Sequence, residues 1–294
     1  MDIPGLERTI EVEAVAHSDV GRRRSENQDA FLVSDLRDGA DPSTTLGQGP
    51  SVTSALDVAA LGPKGALLAV ADGMGGAAEG ALASRMALEG FFEAFARLWL
   101  PDRITTPDLF AGNLRRAAEE ANGRIFDASR VPEREGMGTT LTVVGVLGAF
   151  VHIAHVGDSR AYLLRRGVLT QLTRDQSMVQ EMVDAGHMSE EEAGRSLQRS
   201  VLLQALGVEP EVSVELGYQA LRRGDVLLVC SDGLHGVIGD DALGRALSDG
   251  AGLEATVGDL VASANQLGGP DNITVVAARF SGDGLPLPGN DAAP

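Results

Sequence analysis

Five aspartates, Asp29, Asp72, Asp158, Asp232 and Asp271, each stand where an apolar run begins or ends, and four of them sit beside glycine or inside a Gly-Pro turn. One such residue is ordinarily a turn former, because its side chain bonds the backbone two residues on. Five are harder to account for in that way. If the strand ends converge, carboxylates only a few ångströms apart repel one another, and either their pKa values rise or cations sit between them. Oxygen ligands without a His or Cys partner suit Mg2+ or Mn2+ rather than Zn2+. Two such ions sharing a carboxylate would supply a hydroxide nucleophile and clamp phosphoryl oxygens. Arg24, a few residues before Asp29, could present its planar fork to a phosphate, whereas Arg22 and Arg23 read as a solvated loop.

The clearest of these places is Ala69-Val70-Ala71-Asp72-Gly73-Met74-Gly75-Gly76, where an apolar strand from Ala66 runs into one carboxylate and then into glycines. The other acids are carried in the same way. Asp29 opens the strand Ala30 to Val33, and Asp158 lies between strands Phe150 to Val156 and Ala161 to Arg165. Asp232 follows the buried run Asp225 to Cys230, and Asp271 precedes the last strand, which begins near Ile273. Thr9 to His17 alternates as a half-buried strand, and Gly148-Ala149 and Arg166-Gly167 read as hairpin turns. Apolar residues at helical spacing predict helices over Ala77 to Trp99 and Pro107 to Ser129, with later ones near Asp241 to Ser248 and Leu253 to Leu267. Residues 34–64 turn to Gly, Pro, Ser, Thr and Asp and read as an exposed, partly mobile insertion. Residues 195–207 lack a firm period and read as a surface flap, 1–8 as an extension before a single domain over 9–280, and 281–294 as a disordered tail.

Composition narrows the function. Among 294 residues, 24 basic and 42 acidic side chains give a formal charge of -18, which opposes binding to nucleic acid or an anionic membrane. An acidic enzyme acting on phosphate needs cations. No apolar run is long enough to span a bilayer, and the first residues lack a signal-peptide pattern. The single cysteine, Cys230, excludes an internal disulfide, so the chain reads as cytoplasmic. The histidines read as ordinary core or surface residues, with His235, three residues after Asp232, the one worth testing near a metal.

The motifs Arg24-x-x-Asn27-Gln28-Asp29, Asp72-Gly73-Met74-Gly75-Gly76, Met137-Gly138-Thr139-Thr140, Gly157-Asp158-Ser159-Arg160, Leu172-Thr173-x-Asp175-x-Ser177, Ser231-Asp232-Gly233-Leu234 and Gly269-Pro270-Asp271-Asn272-Ile273-Thr274 occur in that order. Together they resemble the signature of metal-dependent type 2C (PPM) serine/threonine protein phosphatases in their bacterial form. The resemblance implies an α+β fold, a four-layer α-β-β-α sandwich with two central, mostly antiparallel sheets flanked by helices. It implies that Asp72 bridges two Mn2+ or Mg2+ ions with the Gly73 carbonyl completing one site, and that Asp232 and Asp271 hold the other. It further implies that Asp29 binds directly or through water, that Asp158 helps hold a third, weaker ion, that Arg24 clasps the substrate phosphate, and that residues 176–207 correspond to a flap that influences substrate access. Asp72 and Asp232 then carry the catalysis with Arg24. Implied partners are phosphorylated proteins, among them a Ser/Thr kinase or its substrates, acted on by a monomer.

Two positions depart from the family pattern. Gln28 stands where many members have a metal-binding Glu, and Met74 and Ala77 occupy the neighbourhood where many have a His that protonates the leaving group. A metal-bound water then has to act as the acid. The rival readings are a catalytically weak or inactive member that binds phosphoproteins as a regulator, and a phosphatase of a sigma-factor partner-switching system.

Overall fold

The computed structural model describes residues 8–37, 43–250 and 252–289. Nearly all of the extension expected over 1–8, and residues 290–294 of the expected tail, therefore lie outside the described residues. Two antiparallel sheets form the centre. One contains β1 (Glu11–Asp19), β4 (Ser51–Val58), β9 (Arg160–Arg165), β10 (Val168–Gln171), β12 (Val226–Cys230) and β13 (Ile273–Ser281), ordered β10-β9-β12-β13-β1-β4. The other contains β2 (Asp29–Asp35), β3 (Ser43–Gly47), β5 (Ala66–Met74), β7 (Leu141–Leu147), β8 (Phe150–Val156) and β11 (Glu215–Ala220), ordered β11-β8-β7-β5-β2-β3. The short β6 (Gly138–Thr139) pairs with the end of β5.

The sequence explains why the layers stack. β5 and β12 are apolar on both faces because each has a sheet on one side and helices on the other. Between the sheets lie Phe31, Val70, Val229 and Phe280. Outside the β5 sheet, α1 (Ala77–Trp99) and α2 (Pro107–Ser129) bury Phe91, Phe95, Trp99 and Phe110 against Leu67 and Val143. Outside the β12 sheet, α6 (Asp240–Ser248) and α7 (Leu253–Gln266) bury Leu243, Val257 and Leu260 against Leu228 and Val275. Each such Leu or Val adds about 1.5 to 3 kcal/mol relative to exposure, so three apolar layers hold the two sheets at a fixed offset. This is the four-layer sandwich that the motifs imply. The two expected hairpin turns are also present, with Gly148, Arg166 and Gly167 all at positive φ.

Two expectations need correction. Within 34–64, Ser43–Gly47 pairs with β2 and Ser51–Val58 with β1, so much of this stretch forms one edge of each sheet rather than a loose loop. Leu56 and Val58 point into the core while Ser51, Thr53 and Ala55 stay exposed, an alternation that lets a polar sequence form an edge strand. Residues 38–42 of the same stretch lie outside the described residues. In the tail, Ser281 completes β13, the Gly284 amide donates to the Thr9 carbonyl at 2.8 Å, and Leu285 is buried against the inter-sheet core. The Arg223 amide donates to the Pro286 carbonyl at 2.9 Å and Arg166 to that of Pro288, so residues 281–289 are seated against the sandwich. The flap region carries α3 (Met178–Asp184) and α4 (Glu190–Arg195), each capped by a serine, Ser177 and Ser189. Among the described residues no helix is long and apolar enough to cross a membrane.

Candidate active site

The strand ends named above meet at one end of the sandwich. Asp29 and Asp72 are direct partners across β2 and β5. Asp232 begins α5 (Asp232–His235), which follows β12, and Asp271 precedes β13. Asp158 lies in the turn between β8 and β9. Acids from both sheets therefore face one rim.

Hydrogen bonds fix these ends. The Ser231 hydroxyl donates to Asp29 Oδ2 at 2.7 Å and accepts from the Thr274 amide at 3.0 Å, joining β12, β13 and β2 across the two sheets. Asn272 accepts from the Gln28 amide at 2.8 Å through its side-chain oxygen, and its Nδ2 donates to the Val20 and Glu26 carbonyls. The Asp72 amide donates to Thr140 Oγ1, which bonds the Ser159 hydroxyl at 2.8 Å, so the Asp72 end of β5 is tied to the Asp158 turn. Two glycines permit the approach. A Cβ on Gly73 would lie 2.0 Å from the Gly80 carbonyl oxygen, and one on Gly233 would lie 1.8 Å from that of Asn272. Only a bare backbone lets α1 sit against β5, and α5 against the Asp271-Asn272 turn.

The electrostatics are those of a site short of positive charge. Burial pushes the Asp29 carboxyl up to about 7, against hydrogen bonds from Ser231 and Thr274, and the charges of Asp232 and Asp271 raise it further. Burial raises Asp72 well above the usual carboxylate range, with Asp29, Asp232, Asp158 and Asp271 adding to the effect although Asp72 keeps some solvent access. Asp232 is pushed up to about 6 by burial and Asp271, opposed by a hydrogen bond with Asp72 and by the charges of Arg199 and Arg24. Asp158 is also raised well above its usual range, by burial first and then by Asp232 and Asp175. Asp29 Oδ1 and Asp232 Oδ1 are buried with no hydrogen-bond partner. Buried carboxylate oxygens without donors are costly unless something positive meets them.

An oxygen-only set with two orphaned atoms fits divalent cations of the Mg2+ or Mn2+ type. Among the described residues no group of three His, Cys, Asp or Glu side chains closes on a single ion position.

Arg24 Nη2 lies 2.7 Å from Asp271 Oδ2, so its half-exposed guanidinium is held over the rim. The Gln28 amide nitrogen donates to the Gly76 carbonyl at 3.0 Å and braces the glycine loop. The Met74 methyl lies over Gly138 beside Val208, so its apolar side chain packs toward β6 and the flap. His235 Nε2 is 3.0 Å from the Asp158 carbonyl, and burial lowers its pKa to about 3, so it steadies the Asp158 turn as a neutral ring. Asp175, read as a cap or turn residue, is buried and paired with Arg160 at 2.8 Å. The roles of Ser231, Thr140 and Thr274 were not legible in advance. Their only signal was adjacency to an acid or membership of a motif.

Comparison with known proteins bears on this geometry. The profile of a family described as Protein phosphatase 2C matches residues 55–271. The chain is 32% identical over 258 residues to a putative protein phosphatase 2C-type protein of Streptococcus pyogenes, covering 88% of this chain and 93% of that one. It is 42% identical over 213 residues to the serine/threonine phosphatase PstP of Mycobacterium tuberculosis, covering 72% of this chain but only 40% of PstP. A crystal structure of the PstP catalytic domain in complex with two manganese ions superposes with a TM-score of 0.71 at 34% identity, over 93% of this chain and all of that one.

Proposed function

Since the chain belongs to the protein phosphatase 2C family, we propose that it is a protein serine/threonine phosphatase that removes phosphate from phosphoserine and phosphothreonine with the help of two divalent cations. The observation that carries this reading is the meeting of five acids at one rim, with Asp29 Oδ1 and Asp232 Oδ1 lacking any donor. A PstP catalytic domain that binds two manganese ions on the same fold supports it.

When bound, such ions supply an activated water and offset phosphoryl charge. Asp29 and Asp72 would hold one side of the pair from adjacent strands, and Asp232 and Asp271 the other from the facing sheet. Asp158 would hold a third, weaker ion, and the Gly73 carbonyl would complete one of the main sites. Ser231 keeps the Asp29 carboxylate oriented, and the Thr139-Thr140 pair keeps Asp72 in place. Arg24, pre-oriented by Asp271, turns its fork to the phosphoryl oxygens. No side chain among Met74, Gln28 and His235 can donate a proton to the leaving group near neutral pH, so that proton comes from solvent at the site. Phosphorylated proteins, including a Ser/Thr kinase or its targets, are the substrates of this reading, and the chain acts as a monomer in the cytoplasm.

Aryl-phosphate turnover under Mn2+ and Mg2+ titration, followed by phosphothreonine and phosphotyrosine peptides in competition, tests the proposal. Metal-dependent turnover with preference for phosphothreonine is expected. Absence of turnover with every divalent metal would leave a phosphoprotein-binding regulator, a reading that the apolar Met74 favours.

A further inference from the structure

The loop that carries Arg22, Arg23 and Arg24 is fastened to the turn that carries Asp271 at three points. Gly21 has a positive φ, and a Cβ there would lie 2.1 Å from the Asp271 carbonyl oxygen, so the two backbones touch. The Arg22 amide donates to the Gly269 carbonyl at 2.8 Å, and Arg22 Cγ lies 3.0 Å from where a Cβ on Gly269 would be, so the stem of Arg22 runs along that glycine. Arg24 Nη2 reaches Asp271 Oδ2 at 2.7 Å. Both flanks of the loop are fixed as well. Asn272 Nδ2 donates at 2.9 Å to the Val20 and Glu26 carbonyls, which bracket the arginines, and the Val20 amide donates to the Pro50 carbonyl at 2.9 Å.

Arg22 and Arg23 are exposed, and neither side chain makes a hydrogen bond or ion pair among the described residues. Arg24 is committed to Asp271 and to phosphate, so the reaction as described leaves its two neighbours unused. From Gly21 to Gln28, three arginines stand against one acid, Glu26, in a chain whose formal charge is -18. Such a chain repels an acidic peptide nearly everywhere, and an ordered basic loop beside the acid rim reverses that locally.

We propose that Arg22 and Arg23 select acidic substrates by pairing with Asp or Glu side chains that flank the phosphorylated residue while Arg24 holds its phosphoryl group. This rests on the phosphatase reading above and names the substrate class of the same site. The reach is suitable. Consecutive Cα atoms lie about 3.8 Å apart, and an extended peptide advances about 3.3 to 3.6 Å per residue, so acids roughly one to three residues from the phosphorylated one fall within the span of the loop.

The test compares the full chain with the double variants Arg22→Ala/Arg23→Ala and Arg22→Glu/Arg23→Glu in Mn2+. The substrates are an aryl phosphate, which has no flanking residues, and phosphothreonine peptides that differ only in carrying Glu, Ala or Lys around the phosphothreonine. The wild type is expected to prefer the Glu peptide to the Ala peptide by roughly threefold to tenfold in kcat/KM, through KM, as two exposed ion pairs allow. Added salt should shrink that preference. The Ala variant should lose it, and the Glu variant should turn it toward the Lys peptide, a reversal that damage to the loop would not produce. Equal kcat/KM for the Glu and Ala peptides in the wild type, or a preference that survives in both variants, would overturn the proposal. So would a loss of equal size on the aryl phosphate and every peptide, which would make the loop a support for Arg24 alone. Should the wild type turn over nothing, the phosphatase reading fails separately, and fluorescence anisotropy of the labelled peptides on the Mn2+-loaded chains still decides: the same order of affinities upholds the role of Arg22 and Arg23, and equal affinities overturn it.

Discussion

Replacing Asp29 by Asn should stabilise the metal-free protein while destroying its activity. Asp29 is wholly buried, bonded by Ser231 on one oxygen and orphaned on the other, and its carboxyl is raised to about 7. Because the folded pKa lies above the ordinary 3.8, stability contributed by the neutral carboxyl is lost as pH rises toward 7. The difference of about 3 pH units bounds the loss at about 4 kcal/mol. Proton sharing with Asp72 and Asp232 reduces what Asp29 alone contributes to about 1 to 3 kcal/mol. Asn keeps the acceptor for Ser231 and places an N–H where Oδ1 has no donor, facing negative neighbours. In chelator at pH 8, Asp29→Asn is therefore expected to melt about 2 to 8 °C higher than the wild type, a gain that shrinks at pH 5. With Mn2+ the order narrows or reverses, because only the wild type gains fully from the ion. Calorimetric melting of both chains, with and without metal, checks this. A variant less stable in chelator at pH 8, or one gaining as much from Mn2+, would refute the reasoning.

Arg24→Ala should raise KM for an aryl phosphate roughly tenfold while leaving the Mn2+ concentration for half-activity within about threefold, as steady-state titration will show. Chelation should abolish turnover, and added Mn2+ should restore it without refolding, with unchanged far-UV circular dichroism as the control. His155, bonded to Thr142 and the Arg174 carbonyl, has its pKa lowered to about 4 by burial. Its folded pKa lies below its unfolded one, so it makes the chain lose about 3 kcal/mol as pH falls from 6.5 to 4. His155→Gln should flatten the urea-unfolding profile in that window relative to wild type, the carboxylates common to both cancelling in the difference. Gly233→Ala must push the Asn272 carbonyl aside, and turnover is expected to fall by about a hundredfold with the helices intact.

The acids and the layers were legible for a shared reason. An apolar strand that leads into Asp-Gly announces both its own burial and the place where the chain emerges, so the positions of Asp72 and Asp232 at strand ends could be read from sequence. Helices α1 and α2 carried their apolar residues at helical spacing for six turns, which leaves little ambiguity. Edge strands are different. Ser51–Val58 alternates inward Val52, Leu56 and Val58 with polar or small outward residues, and its surrounding Gly and Ser hid a period that one buried face was enough to use. The segment after Phe280 was misread for a similar reason, since its anchors are the buried Leu285 and hydrogen bonds to distant residues such as Thr9 and Arg223. Ser231 has no local signature, because its role comes from what lies opposite it after folding.

The central claim is that acids distant in sequence share divalent ions at one rim. The most direct measurement is anomalous scattering from crystals of the full chain grown with Mn2+. Two manganese peaks bounded by Asp29, Asp72, Asp232 and Asp271 are expected. Peaks confined to surface acids, with those four side chains free of metal, would contradict it.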